Sequence, residues 1–226
     1  MTRLLIGMAL IAVIPFTGGA APEAKVKRVV VGPGVVLEIE GAKRRVIVDA
    51  KVVLRKGVLE GLLTRAKKKE HEFILAADVD ARHIHTALET ASAKAGKPVV
   101  FAPVFQAPTG STVRVTLCYE KAGMKTTISP GEWVRDAKTL KPHNGEWVFV
   151  GSRFGPNPEG EDKPRFYMAN HGDLICLCNI ETAMLDVPLR SPKAFNQRLF
   201  EAVTDKIPEV GTVVEVILEV VPEKKS

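Results

Sequence analysis

Alternation of apolar and polar residues dominates the chain from residue 35 onward and predicts β-strands. Val35, Leu37 and Ile39 alternate with polar positions, and a second alternating run covers residues 46–54 after Gly41. This period of two is typical of strands that bury one face. We expect further strands at 58–63, 72–77, 99–101, 113–119, 126–134, 147–151, 166–179 and 212–220, with a hairpin turn at Ala122 and Gly123.

Helical periodicity occurs in two places. Asp80 is a predicted N-cap, and Gly96 and Pro98 end the apolar stripe that follows it. Ser191 and Pro192 predict a second helix start. The two predicted stripes are Ile84, Ala87, Leu88, Ala91 and Ala95 in the first helix and Phe195, Leu199 and Val203 in the second. The pattern as a whole predicts an α+β fold, with a mixed or mainly antiparallel β-sheet and two packed helices.

The first twenty residues have the organisation of a secretory signal peptide. Met1 to Arg3 form a short positive region, an apolar stretch covers residues 4–16, and Gly18 to Ala20 provide small residues for cleavage. The apolar stretch is too short to span a bilayer, and Pro15 interrupts it. We therefore expect a signal peptide at 1–20, a flexible leading segment at 21–34, one domain at 35–220 and a charged tail at 221–226. The mature chain would be exported, to a periplasm or the cell exterior, without a membrane span.

Charge and composition exclude some classes of function. Lys and Arg total 32 against 26 Asp and Glu, a formal net charge of +6, and the basic residues are interspersed with acids. The run Lys67–Lys69 is followed at once by Glu70, which is typical of a solvated turn rather than a nucleic-acid site. Hydrophobic residues make up 46 % of the chain, enough to build a core without disulfides. No cofactor motif is present, so none is predicted.

Several short strings, in one order, resemble the bacterial YdjY-domain family. The strings are KEHE at 69–72, GKPV at 96–99, PTG at 108–110, WVRD at 133–136, WVFVGS at 147–152, GDLICL at 172–177, AMLDVP at 183–188 and FEAVTDKIPEVGT at 200–212. The similarity covers about residues 45–220. It implies an exported bacterial protein, and it carries no agreed catalytic residues to transfer.

The candidate chemistry centres on histidines. His71 is flanked by Glu70 and Glu72, but on a strand those carboxylates would point to the face opposite the imidazole. His83 and His85 have the wrong spacing on a helix to bind one metal together. His85 also matches a histidine of the family pattern. It could meet His71 in an acid/base or divalent-metal site, assisted by Glu70 or Asp173.

The three cysteines allow one disulfide or three free thiols. Cys176 and Cys178 are two residues apart on a predicted strand, where a direct bridge would be strained. Cys118 could pair with either of them if their strands are adjacent. Buried free thiols are the alternative.

Two functions follow as hypotheses from the sequence. The first is a non-catalytic binding or assembly module of the bacterial cell envelope, whose partners are other envelope proteins or an envelope ligand. The alternative is a metal-dependent or acid/base enzyme that uses His71 and His85.

Overall fold

Strands are the main regular structure in the computed structural model, which describes residues 25–188 and 199–222. The strands are β1 (Val26–Gly32), β2 (Val35–Glu40), β3 (Lys43–Val52), β4 (Val58–Leu59), β5 (Gly61–Arg65), β6 (Phe73–Ala77), β7 (Thr112–Lys121), β8 (Met124–Ile128), β9 (Val134–Asp136), β10 (Glu146–Phe149), β11 (Phe154–Gly155), β12 (Phe166–Tyr167), β13 (Ile175–Cys176), β14 (Leu185–Asp186), β15 (Phe200–Ala202) and β16 (Val213–Val220). Within these described ranges there is one α-helix, α1 (Ala81–Thr90), and there are short 3₁₀ helices at Pro130–Glu132, Met168–His171 and Thr204–Lys206.

Eight of the strands close into a barrel. Around the wall the order is β3, β16, β7, β10, β14, β13, β5 and β6, and β6 pairs back onto the end of β3. Most neighbours are antiparallel, whereas β5–β6 and β13–β14 are parallel. Alternate side chains of the long strands, such as Val46 and Val216, join Trp147 in a continuous buried core. A closed wall leaves few unpaired strand edges.

The predicted α+β class with two packed helices is wrong, because the fold is mainly β and the part of the chain that is described has a single α-helix. The end of the second predicted helix is β15, which pairs with β4 and β9. Phe200 and Ala202 are buried while Leu199 is exposed, which is the period of a strand rather than a helix. The other predicted positions of that helix lie outside the described residues: Ser191, Pro192 and Phe195.

The first predicted helix is present, although it is shorter than expected. The carboxylate of Asp80 accepts a hydrogen bond from the Arg82 backbone N–H at 2.9 Å, which confirms Asp80 as the N-cap. Ile84 and Leu88 are completely buried, and the helix contacts β1, β2 and β3. It ends at Thr90, because Ser92 takes a left-handed conformation with φ of 74° and turns the chain away.

Two neighbouring rows of side chains cross the sheet on the face away from the core. One, the charge row, alternates in sign over six strands: Arg28, Glu38, Arg45, Glu219, Arg114 and Glu146. The next, the apolar row, contains Val30, Val36, Ile47, Ile217 and Thr116. Glu38 lies 2.9 Å from the Arg28 guanidinium and 2.6 Å from that of Arg45. Opposite charges placed on adjacent strands stabilise their pairing.

Other segments confirm or correct the predicted strands. Residues 26–32 of the predicted flexible segment form β1 and pair with β2. The predicted strand at 99–101 is only a bridge between Val100 and Gln106. The predicted strand at 166–179 is interrupted by the Met168–His171 3₁₀ helix, and the one at 126–134 by the Pro130–Glu132 3₁₀ helix. The β7–β8 hairpin confirms the turn at Ala122 and Gly123, and β16 confirms the closing strand.

Candidate functional site

The N-terminus of α1 is held by a polar network that reaches across the sequence. Asn170 accepts a hydrogen bond from the Ala81 backbone N–H at 2.8 Å and donates one from its amide to Asp80 at 3.1 Å. The Arg82 side chain also donates to the Asp80 carboxylate. Hydrogen bonds from Arg82, and to a smaller extent from Asn170, hold the pKa of Asp80 well below its usual range. This network fixes the start of the helix that carries His85.

His85 is held in a defined orientation by Tyr167. The Tyr167 hydroxyl donates to the carbonyl oxygen of Gly151 at 2.8 Å, so it accepts the hydrogen bond from His85 Nδ1, also at 2.8 Å. His85 Nε2 then faces Glu89, whose carboxylate oxygen is 3.4 Å away. The ring packs edge-on against Phe149, with 4.9 Å between centroids. Burial raises the pKa of Tyr167, so its hydroxyl stays protonated and keeps the imidazole in place.

Three of the strings that resemble the family meet at Phe149, which packs against this histidine. The backbone N–H of Gly96 donates to the carbonyl of Phe149 at 2.9 Å. A Cβ on Gly110 would lie 2.0 Å from the same Phe149 oxygen. A Cβ on Gly151 would lie 2.7 Å from Ala95 and 3.2 Å from the His85 ring. The glycines permit these close backbone approaches, so the strings at 96–99 and 108–110 pack against the Phe149 backbone, and the string at 147–152 contacts His85 through Phe149 and Gly151.

The structure does not bring His71 and His85 together. His71 lies in the turn before β6, with 78 % of its side chain exposed, and its nearest charged neighbour is Glu72 at 3.7 Å. Glu70 accepts a hydrogen bond from the Lys67 backbone N–H at 2.6 Å. Because residues 70–72 form a turn and not a strand, the predicted separation of His71 from Glu72 is wrong. Throughout the described ranges, no hydrogen bond, ion pair or ring contact joins the two histidines.

His83 has a packing position. Its ring fills the space beside Gly32 of β1, where a Cβ would lie 2.1 Å from His83 Nδ1. That nitrogen is buried and has no hydrogen-bond partner among the described residues. Within these residues, no group of three or more His, Cys, Asp and Glu side chains is arranged to hold a metal ion. A metal on His85 would therefore have to complete its coordination with other ligands.

A second buried polar cluster lies on the outer side of the barrel wall, beside β13. Asp173 is almost fully buried, with Lys69 Nζ at 2.9 Å from one oxygen, and the Thr182 hydroxyl donating to the other at 2.6 Å. Burial alone would lower the pKa of Lys69, but the hydrogen bond to Asp173 raises it overall. Asp173 is thus neutralised by an internal cation, which indicates an anchoring role for the predicted candidate.

Asp186 is the most buried carboxylate of this cluster. One of its oxygens accepts a hydrogen bond from the Val187 backbone N–H at 2.8 Å, while the Val187 carbonyl accepts one from the Asn179 amide at 2.9 Å. The second oxygen of Asp186 and the side-chain oxygen of Asn179 have no partner in the described structure. Burial raises the pKa of Asp186 to about 7, although amide groups of Asn179, Val187 and Ile180 oppose the shift.

The three cysteines are free in this structure. Cys118 and Cys176 are buried and Cys178 is partly buried. Cys118 lies on β7 and Cys176 on β13, with β10 and β14 between them in the wall, so the adjacency required for the predicted disulfide is absent. Burial raises the pKa of Cys176 and raises that of Cys178 to about 12. Both thiols are therefore protonated and poorly nucleophilic at neutral pH.

A basic groove of about 600 Å³ opens at one end of the sheet, between β3, β16, β7 and the loop after α1. The charged side chains that line it are Lys43, Arg44, Lys94, Arg114 and Glu219. Lys43 Nζ lies 3.1 Å from the Glu219 carboxylate. The Arg114 guanidinium lies 3.0 Å from the carboxylate of Glu146, which is outside the groove. Arg44 and Lys94 form no ion pair with any described residue. The groove therefore presents a net positive surface.

Sequence reasoning missed several of these residues. Tyr167 orients His85, and Glu89 lies beside it. Asp186 and Asn179 each have a buried side-chain oxygen without a hydrogen-bond partner among the described residues. Asp186 did carry a signal, since it is a lone charge inside the apolar run of AMLDVP. The Tyr167 contact carried none, because it joins residues 82 positions apart.

Comparison with known families identifies the kind of domain. The model of the YdjY domain matches residues 37–219. Since the match covers most of the chain, the protein belongs to the YdjY domain family. Comparisons with curated proteins and with solved structures found no match. Among the described residues, no helix combines the length and apolar character needed to cross a membrane.

Proposed function

We propose that this protein is an exported, non-catalytic binding module of the bacterial cell envelope, and that its basic groove holds an anionic ligand. The observation that carries the proposal is the groove itself, with four cationic side chains against one carboxylate. Export and the envelope location rest on the predicted signal peptide at 1–20. The ligand class is an anionic envelope polymer with phosphate groups.

The charge distribution of the groove supports this ligand class. Arg44 and Lys94 have no carboxylate partner in the described structure, so both are available to an incoming anion. Ser92 and Ser111 line the same groove and add hydroxyl groups. Cationic side chains in a concave surface concentrate anions and form charge-assisted hydrogen bonds to phosphate oxygens. Among the described residues that line this groove, no nucleophile is paired with a base, which favours binding over catalysis.

Binding of short-chain inorganic polyphosphate by the mature chain, beginning at Ala21, tests the proposal. We expect affinity that falls as salt rises, and a loss of at least about tenfold in the double variant Arg44→Gln and Lys94→Gln, equivalent to about 1.4 kcal/mol. Lys56→Gln, which removes an exposed charge outside the groove, is the control. Equal affinity of parent and double variant would overturn the groove assignment. Export is checked separately by mass spectrometry of the native protein, which should find an N-terminus near Ala21.

A second candidate function is acid/base chemistry at His85. The observation in its favour is the hydrogen bond between Nδ1 and Tyr167, which holds the ring with Nε2 directed at the Glu89 carboxylate. The metal-dependent form of this candidate predicts one divalent ion per chain in protein purified without an affinity tag, and His85→Gln should release it. Elemental analysis that finds no stoichiometric metal would exclude that form.

A further inference from the structure

Strand β1 presents an open edge. Within the described residues it pairs only with β2, so the backbone groups along its other side have no strand partner. It is seven residues long, and Val26, Val29 and Val30 are exposed by 51 %, 36 % and 75 %. Long edges with apolar side chains are templates for strand addition. No residue of β1 lines the basic groove, so this surface is a different one.

The charge row indicates what would lie next to this edge. Going outward across the sheet, the row alternates in sign and ends on β1 at Arg28, whose side chain is 60 % exposed. Continuing the alternation on one further strand requires an acidic residue opposite Arg28. Lys25 and Lys27 are also exposed beside this edge, and their positive charges likewise favour a negatively charged partner.

A second copy of the chain is a poor partner for the edge. The sequence of β1, VKRVVVG, contains no acidic residue. Two β1 strands paired edge to edge would bring both sets of basic side chains together with no carboxylate from either strand to offset them. Lysine and arginine on an edge discourage such self-pairing. The edge therefore fits a segment of opposite charge from another protein.

We propose that β1 accepts an extended acidic segment of another envelope protein as an added antiparallel strand. The segment places a Glu or Asp opposite Arg28 and β-branched residues opposite the exposed valines. Backbone hydrogen bonds along β1 provide the affinity, and the charges select the partner. The inference takes the envelope location of the partner from the proposed function, but it does not depend on the groove.

The test uses the mature chain and two synthetic peptides. One peptide has Glu opposite Lys27 and Arg28 and Val opposite Val26, Val29 and Val30, and the other has Lys in place of each Glu. We expect the acidic peptide to bind and to slow amide hydrogen exchange across residues 26–32, and the basic peptide to do neither. Arg28→Gln should weaken acidic-peptide binding about fivefold, which corresponds to about 1 kcal/mol. Glu38 keeps its contact with Arg45 in that variant, so the fold should persist, and a thermal melt verifies this.

Arg153→Gln is the matched control, because Arg153 has a similar exposure, 56 %, and pairs with exposed Glu181. It should bind the acidic peptide as the parent does. Equal binding of both peptides, or binding without protection of residues 26–32, would overturn the proposal. Protection, without peptide, of the β1 amides that face away from β2 would also overturn it: a dimer would identify a second copy as the occupant, and a monomer would identify a segment of the same chain.

Discussion

Asp80, which is partly buried, and Asp186, which is fully buried, differ in whether their surroundings stabilise the ionised carboxylate. Asp80 at the start of α1 is surrounded by donors: the Arg82 guanidinium, the Arg82 backbone N–H and the Asn170 amide. Asp186 on β14 is fully buried, and one of its oxygens has no partner in the described structure. The pKa of Asp80 is lowered, whereas that of Asp186 is raised to about 7.

The difference shows that burial and hydrogen bonding act in opposite directions on the same chemical group. Donors aimed at a carboxylate favour its charged form, and loss of water disfavours that form. Asp80 therefore stabilises the fold when ionised, while Asp186 destabilises it when ionised. The first aspartate organises the helix that carries His85. The second makes the stability of the AMLDVP segment sensitive to pH.

The largest expected effect is that of Asp186→Asn. Because the folded-state pKa of Asp186 lies above the ordinary value of 3.8, the folded state binds the extra proton, and parent stability should fall as pH rises from about 4 to about 7. Asn removes the buried charge and keeps an oxygen for the Val187 N–H. Above about pH 7 the variant should be more stable by on the order of 2 to 4 kcal/mol, and below about pH 4 the two should be similar.

Denaturant unfolding across this pH range measures the effect. Asp78→Asn, at an exposed position, is the control and should leave the profile of the parent unchanged. A variant that is less stable than the parent above about pH 7 would show that the Asp186 carboxylate is stabilised by its surroundings, which contradicts the comparison.

A smaller change in stability is expected from disrupting the hydrogen-bond network of Asp80 and Asn170 at the start of α1. Asn170→Ala leaves the buried Ala81 N–H without an acceptor and removes a donor from Asp80, which should cost about 1 to 3 kcal/mol. Asn144→Ala removes one exposed turn hydrogen bond and should cost well under about 1 kcal/mol. Thermal melts of the two variants give the ranking. Equal losses would mean that the Asn170 network does not stabilise the helix start.

Local signals predicted some of this structure well. Asp80 as a helix cap, the Ala122–Gly123 hairpin and strand β16 depend on short-range chemistry that a single segment contains. The prediction of a second helix is wrong over its described end. Leu199 and Val203 fit a helical period by coincidence, while Phe200 and Ala202 are buried through pairing with β4 and β9. Barrel closure through β3 and β6 and the contact of His85 with Tyr167 depend on residues distant in sequence, and no local pattern encodes them.

The charge row and the apolar row also determine strand alignment. A slip by two residues keeps every core side chain on the core face, so hydrophobic alternation alone cannot detect it. Ile217 now lies opposite Ile47. A slip of β16 along β3 in either direction would set Ile217 opposite Asp49 or Arg45, an apolar side chain against a charged one. The outer face of the sheet thus rejects alignments that the core would accept.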